Sequence, residues 1–363
     1  MSLALTRMQA LRAAAQALDK NMVRPDQFGA IDYFVDQAGQ DNLIPAEVKA
    51  SVRSSMGRNV EVPVLDYNGS VQVASSRSCT IADGENTSAL YTVNFVTYQV
   101  GVSMVPTLYM NNEIKYQKDF ARKINNAVRA LKNAMDTDAL AALSANKTQV
   151  FNEPLDYTTT GNVLGASFIQ KTELLGDLDP VMHSNGFTGP ISVVGNYAVE
   201  AAVRKLAQYG PENSVNKHLE YAGKRFFTSI NLANGVGEYA NLYAIEDGNV
   251  DLVYRYDREA VANGKSANGH EWFITRLPGL DIPVGIHYYE EVGDKSTIAG
   301  DASADMTCVR TEKYGISVDV AYIVSYNSAL ATKANPIIKA NIAAGTGVGM
   351  PVQVTNTVST HEV

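Results

Sequence analysis

EIKYQKDFARKINNAVRALKNAMDTDALAAL, residues 113–143, decides how the rest of the chain is read. Phe120, Ile124, Ala127, Val128, Leu131, Ala134 and Met135 recur at steps of three and four, the spacing of one apolar helix face. Lys118, Arg122, Lys123, Arg129 and Lys132 crowd the remaining surface, and no glycine or proline interrupts the run. The pattern predicts a helix from about Glu113 to Ala145. At ~1.5 Å per residue it would be a rod of roughly 50 Å, a spine rather than an ordinary three- or four-turn helix.

The stretch before the spine, about 57–112, reads as β. NVEVPVLD (59–66) places Val60, Val62 and Val64 at period two, and SVQVASS (70–76) repeats this with Val71 and Val73. After the turn-rich ADGENTS (82–88), ALYTVNFVTYQVGVSMVP (89–106) alternates at Tyr91, Val93 and Phe95, then on the opposite parity at Tyr98, Val100, Val102 and Met104. A parity switch predicts a bulge, or a strand that changes its buried face. The hairpin would be too long and thin to bury both faces within one chain, so it is expected to lie on another molecule. Residues 1–56 read as a helical arm. Met8, Leu11, Ala15, Leu18 and Met22 form a docking stripe, with no uninterrupted apolar core of a secretory signal. The Ala/Arg-rich start shares its lack of acids before Asp19 with organelle transit peptides, but the stripe is the better account.

Beyond the spine, about 151–304 alternates elements and predicts a mixed α+β domain with an open sheet. PISVVGN (190–196) is a buried strand, followed by a helix from Tyr197 to Tyr209 with Val199, Val203 and Leu206 inward and Gly210-Pro211 as its stop. LYAIEDGNVDLVYRY reads as a hairpin around Asp247-Gly248. HEWFITRL and IPVGIHYYEE add two strands. Ile316, Val318, Val320, Tyr322, Val324 and Tyr326 then alternate without a break, on a strand expected to pair with DMTCVRT through a turn at Lys313-Tyr314-Gly315. Strands so far along the chain beside the spine imply a discontinuous domain with the α+β stretch inserted in it. The tail, AAGTGVGMPVQVTNTVSTHEV (343–363), is almost uncharged and cannot build a core of its own.

The whole chain has 363 residues, 45% apolar and 19% charged, enough for a buried core without disulfide or metal staples. Its formal charge of −8 argues against a nucleic-acid-coating protein, and no apolar run approaches the ~18 residues of a membrane span. Two cysteines, Cys79 and Cys308, make no disulfide framework and fit a reducing cytosol.

Candidate chemistry was sought and each case has a plainer explanation. His183, His218, His270, His287 and His361 show no metal-ligand spacing; His287 reads as a satisfied core or edge residue. Cys79 and Cys308 have no nearby His or CxxC partner. GTGVG (345–349) resembles a dinucleotide fingerprint but has too little chain after it for a βαβ unit. SANK (144–147) matches a Ser-x-x-Lys pattern at a helix end, where it is solvated. The pairs Glu290-Glu291 and Glu246-Asp247 are sequence neighbours whose side chains diverge. The basic spine face reads as solvated and salt-bridged more readily than as phosphate-binding. The sequons at Asn68, Asn86 and Asn146 are chance matches without a secretory signal. No catalytic residue, cofactor or metal is expected.

The order of parts resembles the Hong Kong 97-type major capsid proteins of tailed phages. GRNVEVPVLDYNGSVQVASS (57–76) is similar to their extended loop and the 113–143 run to their spine helix. YANLYAIEDGNVDLVYRYDREA (239–260) looks like the axial domain, and TEKYGISVDVAYIVSYNSA (311–329) like the closing peripheral strands. The resemblance covers nearly the whole chain and rests on element order, since the family has no short diagnostic motif. It implies an α+β fold divided as an N-terminal arm (1–56), an extended β-hairpin loop (57–112), a peripheral domain (113–165 and 305–341), an axial domain (166–304) and a tail (342–363). It further implies a non-enzymatic shell subunit, forming pentamers and hexamers of an icosahedral virion capsid around double-stranded DNA and assembled in the host cytoplasm. Scaffold and portal proteins are its implied partners, with decoration proteins an open addition, non-specific contact with packaged DNA, and no membrane. Two departures matter. The type member cross-links a loop lysine to a neighbour, but here no lysine lies between Lys49 and Lys115, so a non-covalent shell is expected. The arm is about fifty residues, so any scaffold is expected to be a separate protein. The alternatives weighed are an encapsulin-like nanocompartment shell, a tail or decoration protein, and a cytosolic α+β enzyme.

Overall fold

The spine helix organises the molecule because it is long, uninterrupted and apolar along one stripe. The structure is a computed structural model and describes residues 27–39, 43–54, 60–65, 88–106, 113–147, 157–184, 186–207, 219–221, 223–265, 268–277, 279–293, 309–325 and 335–345. Two short helices come first, α1 (Gly29–Ala38) and α2 (Ala46–Ser54), then strands β1 (Val60–Leu65), β2 (Ser88–Val93) and β3 (Val96–Met104). The spine, α3, runs Glu113–Asn146. It buries Phe120, Ile124, Ala127, Val128, Leu131, Met135, Ala139 and Leu143 against α1, β3 and the strands beyond. Ala134, expected in the stripe, is exposed. At 100° per residue it lies beyond the edge of a stripe whose centre passes through Leu131 and Met135.

After the spine come β4 (Thr158–Thr160), β5 (Val163–Ala166), α4 (Lys171–Ser184), β6 (Ile191–Gly195), α5 (Tyr197–Ala207), β7 (Leu219–Tyr221), β8 (Lys224–Thr228) and β9 (Glu238–Glu246). The chain continues through β10 (Val250–Arg255), α6 (Arg258–Val261), β11 (Glu271–Thr275), β12 (Val284–Gly293), β13 (Val309–Val324) and β14 (Ile337–Ala343). These strands form two large sheets. One is seven-stranded, ordered β4-β5-β14-β9-β6-β8-β7, with the pairs β5/β14 and β6/β8 parallel. The fully buried run Ile191–Gly195 sits near its middle, as an all-apolar strand requires. Leu174, Leu178 and Met182 of α4, with Val199 and Val203 of α5, complete that core.

The second sheet has five strands, ordered β10-β13-β12-β11, with β3 on the other side of β13. β13 is its axis. Its alternating residues Tyr314, Ile316, Val318 and Val320 face the spine and are buried. Val96–Met104 pair antiparallel with Val320–Glu312, more than 200 residues away in sequence.

Several expectations are corrected. The parity switch in 89–106 is neither a bulge nor a face change within one strand. The strand ends at Val93, β2 pairs with β1, and the chain re-enters at Val96 in a different sheet. Lys313-Tyr314-Gly315 is not a turn, because β13 runs through it and Gly315 pairs with both His287 and Gly101. Asp247-Gly248 is a turn but not a hairpin: β9 pairs with β14 and β6, whereas β10 pairs with β13. Gly248, at φ +87°, swings the chain from one sheet to the other, a conformation that favours glycine.

The sheets therefore divide the chain differently from the boundaries expected. β10, β11 and β12, expected inside the inserted unit, belong to the sheet of β13 and β3, while β14 crosses back to the seven-stranded sheet. Residues 28–54 are not a detached arm either. Phe28, Tyr33 and Phe34 are almost wholly buried and share a core with the spine and both sheets. Aromatic packing outweighs the helical-arm pattern there. Met8 to Met22, 66–87, the stop at Gly210-Pro211, Tyr326 and the tail beyond Gly345 lie outside the described residues.

Candidate functional site

Among the described residues singled out for chemistry, only His270 and His287 come together, with ring nitrogens 2.9 Å apart. Cys79, Cys308, His218, His361, Asn68, Asn86 and 346–349 of the glycine-rich run lie outside the described residues. His183 ends α4 near Glu246, whose carboxylate accepts the Gly189 N–H at 2.5 Å and the Asn249 amide at 2.8 Å. Its sequence neighbour Asp247 points elsewhere, to Arg225 at 2.8 Å. Glu290 pairs with Arg310 while Glu291 pairs with Lys313, so this second carboxylate pair also diverges. Ser144 reaches Tyr243 rather than a catalytic lysine, and Asn146 completes the last turn of the spine. Among the described residues no cluster of three His, Cys, Asp or Glu side chains could hold a metal, and no helix is long and apolar enough to cross a membrane.

What the polar side chains do is fasten α1. The helix has no side-chain cap of its own. Instead Asp136, fully buried on the spine, accepts the N–H groups of Ala30 and Ile31 at 2.9 and 3.2 Å. Its other oxygen accepts from the Ser229 hydroxyl at 2.5 Å and the Asn231 amide at 2.9 Å. A carboxylate at a helix N-terminus satisfies orphan donors and complements the dipole. Burial nonetheless holds the Asp136 carboxyl above its ordinary value, with these hydrogen bonds opposing the rise. One turn earlier on the spine, Lys132 pairs with Asp32 at 2.7 Å. Burial pushes Asp32 up to about 6 even though Lys132 pulls it down.

The far end of α1 is tied to the sheet crossover. Arg225 bridges Asp36 at 2.6 Å and Asp247 at 2.8 Å, and Gln37 accepts the Gly248 N–H at 2.7 Å. Lys49 of α2 pairs with Asp251 on β10 at 2.9 Å. The sequence places Lys132 on a solvated, salt-bridged face, whereas it is buried, and Asp136 is not distinguished there at all. Their signal is polar residues at i and i+4 beside Leu131 and Met135 in an apolar stripe.

The most unusual surface is the two-stranded ribbon. Among the described residues β1 and β2 pair only with each other, from Val60↔Val93 to Leu65↔Ser88. Its root is anchored: Val93 is buried with Leu43, Ile44, Val52, Val253, Ala321 and Ile323. Arg255 seals the next bend, lying 4.2 Å over Phe95 and bonded to Asp319 at 3.0 Å. Glu61 and Thr92 are exposed farther along. A free two-stranded ribbon is marginal in water, so its anchorage at one end leaves the rest in need of a surface. Lys118, Arg122 and Arg129 of the spine are exposed, whereas Lys123 is engaged by the Ser103 carbonyl at 3.1 Å.

No family model and no curated protein matches the sequence. Among solved structures the chain is similar to one from Microbacterium phage Oxtober96, at 15% identity and a TM-score of 0.44, over 91% of this chain and 98% of that one. It is also similar to the capsid structure of the cyanophage P-SCSP1u, at 11% identity and 0.44, over 80% and 85%. A third is the holo-SrpI encapsulin complex from Synechococcus elongatus PCC 7942, at 8% identity and 0.39, over 81% and 86%. At these identities and scores the likeness carries no residue-level correspondence.

Proposed function

We propose that this chain is the structural shell subunit of a tailed phage, a Hong Kong 97-type major capsid protein. The observation that carries the reading is the pairing of β3 with β13 beside the spine, with a self-paired ribbon extruded immediately before β3 and a second sheet, all but its strand β14, inserted between the two strands. A subunit that must reach across its neighbours needs an element its own core does not cover, and the ribbon is one. In this reading β3, the spine and β10–β13 are the peripheral domain, and the seven-stranded sheet with α4 and α5 is the axial domain. The division revises the boundaries expected from sequence.

The shell is a closed assembly of pentamers and hexamers around double-stranded DNA, built in the host cytoplasm with scaffold and portal proteins and open to decoration proteins. Its role is structural rather than enzymatic. Contacts with packaged DNA are non-specific, through exposed lysines and arginines such as those on the spine, and therefore weaken with salt. No lysine lies between Lys49 and Lys115, so the ribbon has none to offer a covalent cross-link and burial with strand pairing holds the contacts.

The test is the content and covalency of assembled particles. Nuclease-protected DNA is expected inside, and denaturing electrophoresis should return only single chains. Particles filled with an enzyme and no DNA would point to a nanocompartment, and covalent ladders would contradict the non-covalent shell.

A further inference from the structure

The open face of the five-stranded sheet carries four rings that no part of the reading above uses. Trp272 of β11 pairs directly across from His287 of β12. Tyr289 lies two residues along β12, and His270 two residues before Trp272, so the four side chains occupy one face. The Trp272 and His287 rings are parallel within 2°, with centroids 4.5 Å apart.

The two imidazoles are arranged differently. Nδ1 of His270 and Nε2 of His287 are 2.9 Å apart, yet the ring centroids are 5.1 Å apart with planes inclined by 19°. Rings overlapping face to face would bring their centroids nearly as close as their nitrogens. These meet edge to edge, nitrogen to nitrogen, in an N–H···N bond in which one ring donates and the other accepts. Such a bond survives one extra proton, taken up on the donor ring's outer nitrogen, but a second, entering on the acceptor nitrogen, would set two imidazolium N–H groups against each other.

We propose that His270 and His287 share a single proton, and that entry of a second in mild acid loosens the edge strand β11 from β12. β11 is the weak point because it has only five residues and, among the described residues, one neighbour strand, its other edge held only by a bridge to Lys265 and the Trp272 N–H to the Gly264 carbonyl. The charged groups around the pair do little to favour a second proton. Asp257, the N-cap of α6, is the one carboxylate that draws charge towards His287, and Glu259 lies over Gly264 beside Trp272. On β13, Lys313 sits 5.7 Å over Tyr289 and is paired with Glu291, while Gly315 opposite His287 carries no charge. Lys265 and Glu271 pair with each other at the edge. Consistent with this balance, burial and then the neighbouring His270 lower the basicity of His287.

Trp272 is the only tryptophan in the chain, so its fluorescence reads the pair directly, because a stacked imidazolium quenches indole emission. The inference concerns a single subunit and stands apart from the shell reading. An emission titration of the intact protein, with light scattering to register any change in assembly, is expected to show two quenching steps, the second requiring more acid than the ordinary histidine value of about 6.5. H270Q or H287Q should each leave a single step, and in H270Q that step should stay below the ordinary histidine value because His287 remains partly buried. H270N serves as the second variant if H270Q does not fold. A single wild-type step coinciding with that of the variants would overturn the proposal, as would two steps that persist in all of them.

Discussion

At Gly29 a single methyl group decides how α1 seats. A Cβ there would come within 2.6–2.7 Å of the backbone of Phe227 and Thr228, which is held by the β6–β8 pairing and cannot yield as a side chain could. Gly29→Ala is therefore expected to cost about 1–3 kcal/mol, read as a lower midpoint in urea unfolding. Asp136 is the complementary case. Asp136→Ala removes the acceptor for four donors in a closed site and should cost about 3 kcal/mol or more, whereas Asp136→Asn keeps one oxygen and should cost clearly less. Asp32 gives the fold a pH dependence. Its folded value of about 6 exceeds the unfolded 3.8, so the folded chain holds a proton there that the unfolded chain has released. Stability should then fall as pH rises from about 4 to 6, and Asp32→Asn should reduce that slope in melting curves. Burial displaces Asp136, Asp251 and Glu246 in the same direction, so part of the slope should survive the variant.

At the scale of elements, the ribbon is separable from the fold. Val60 and Val93 are register partners at its root, so the intervening strands can be replaced by a two-residue turn without moving β3. Such a variant should unfold at nearly the wild-type denaturant midpoint while losing self-association in sedimentation. If it assembled like the wild type, the ribbon would have no part in neighbour contacts. The elements also show what the sequence made legible. The spine and the second half of β13 announce themselves because a helical stripe runs from Phe120 to Met135 and strict alternation from Ile316 to Val324, long enough to override local ambiguity. Pairing was not legible. Asp247-Gly248 has the composition of a hairpin turn, but which strands flank it in space depends on the burial of β9 between β14 and β6. Gly315 reads as a turn for the same reason, although it lies in mid-ladder opposite His287. The polar seam around α1 was missed because each pair joins residues about 100 or more apart. The His270–His287 contact is a diagonal across two strands that no linear spacing reveals.

For the whole molecule, two sheets, one spine and a helix clamped between them share a core, while the ribbon extends from it with a buried root. A shared core with a projecting, self-paired element suits a repeating shell, since contacts must be reproduced at every copy without reshaping the core. The central claim is thus self-assembly. The most direct measurement is electron microscopy of the expressed chain, alone and with its scaffold, alongside light scattering for mass. The account predicts closed shells, tubes or capsomers of megadalton-class mass, at least when scaffold is supplied. A monodisperse monomer that remains inert in the presence of its scaffold would contradict it.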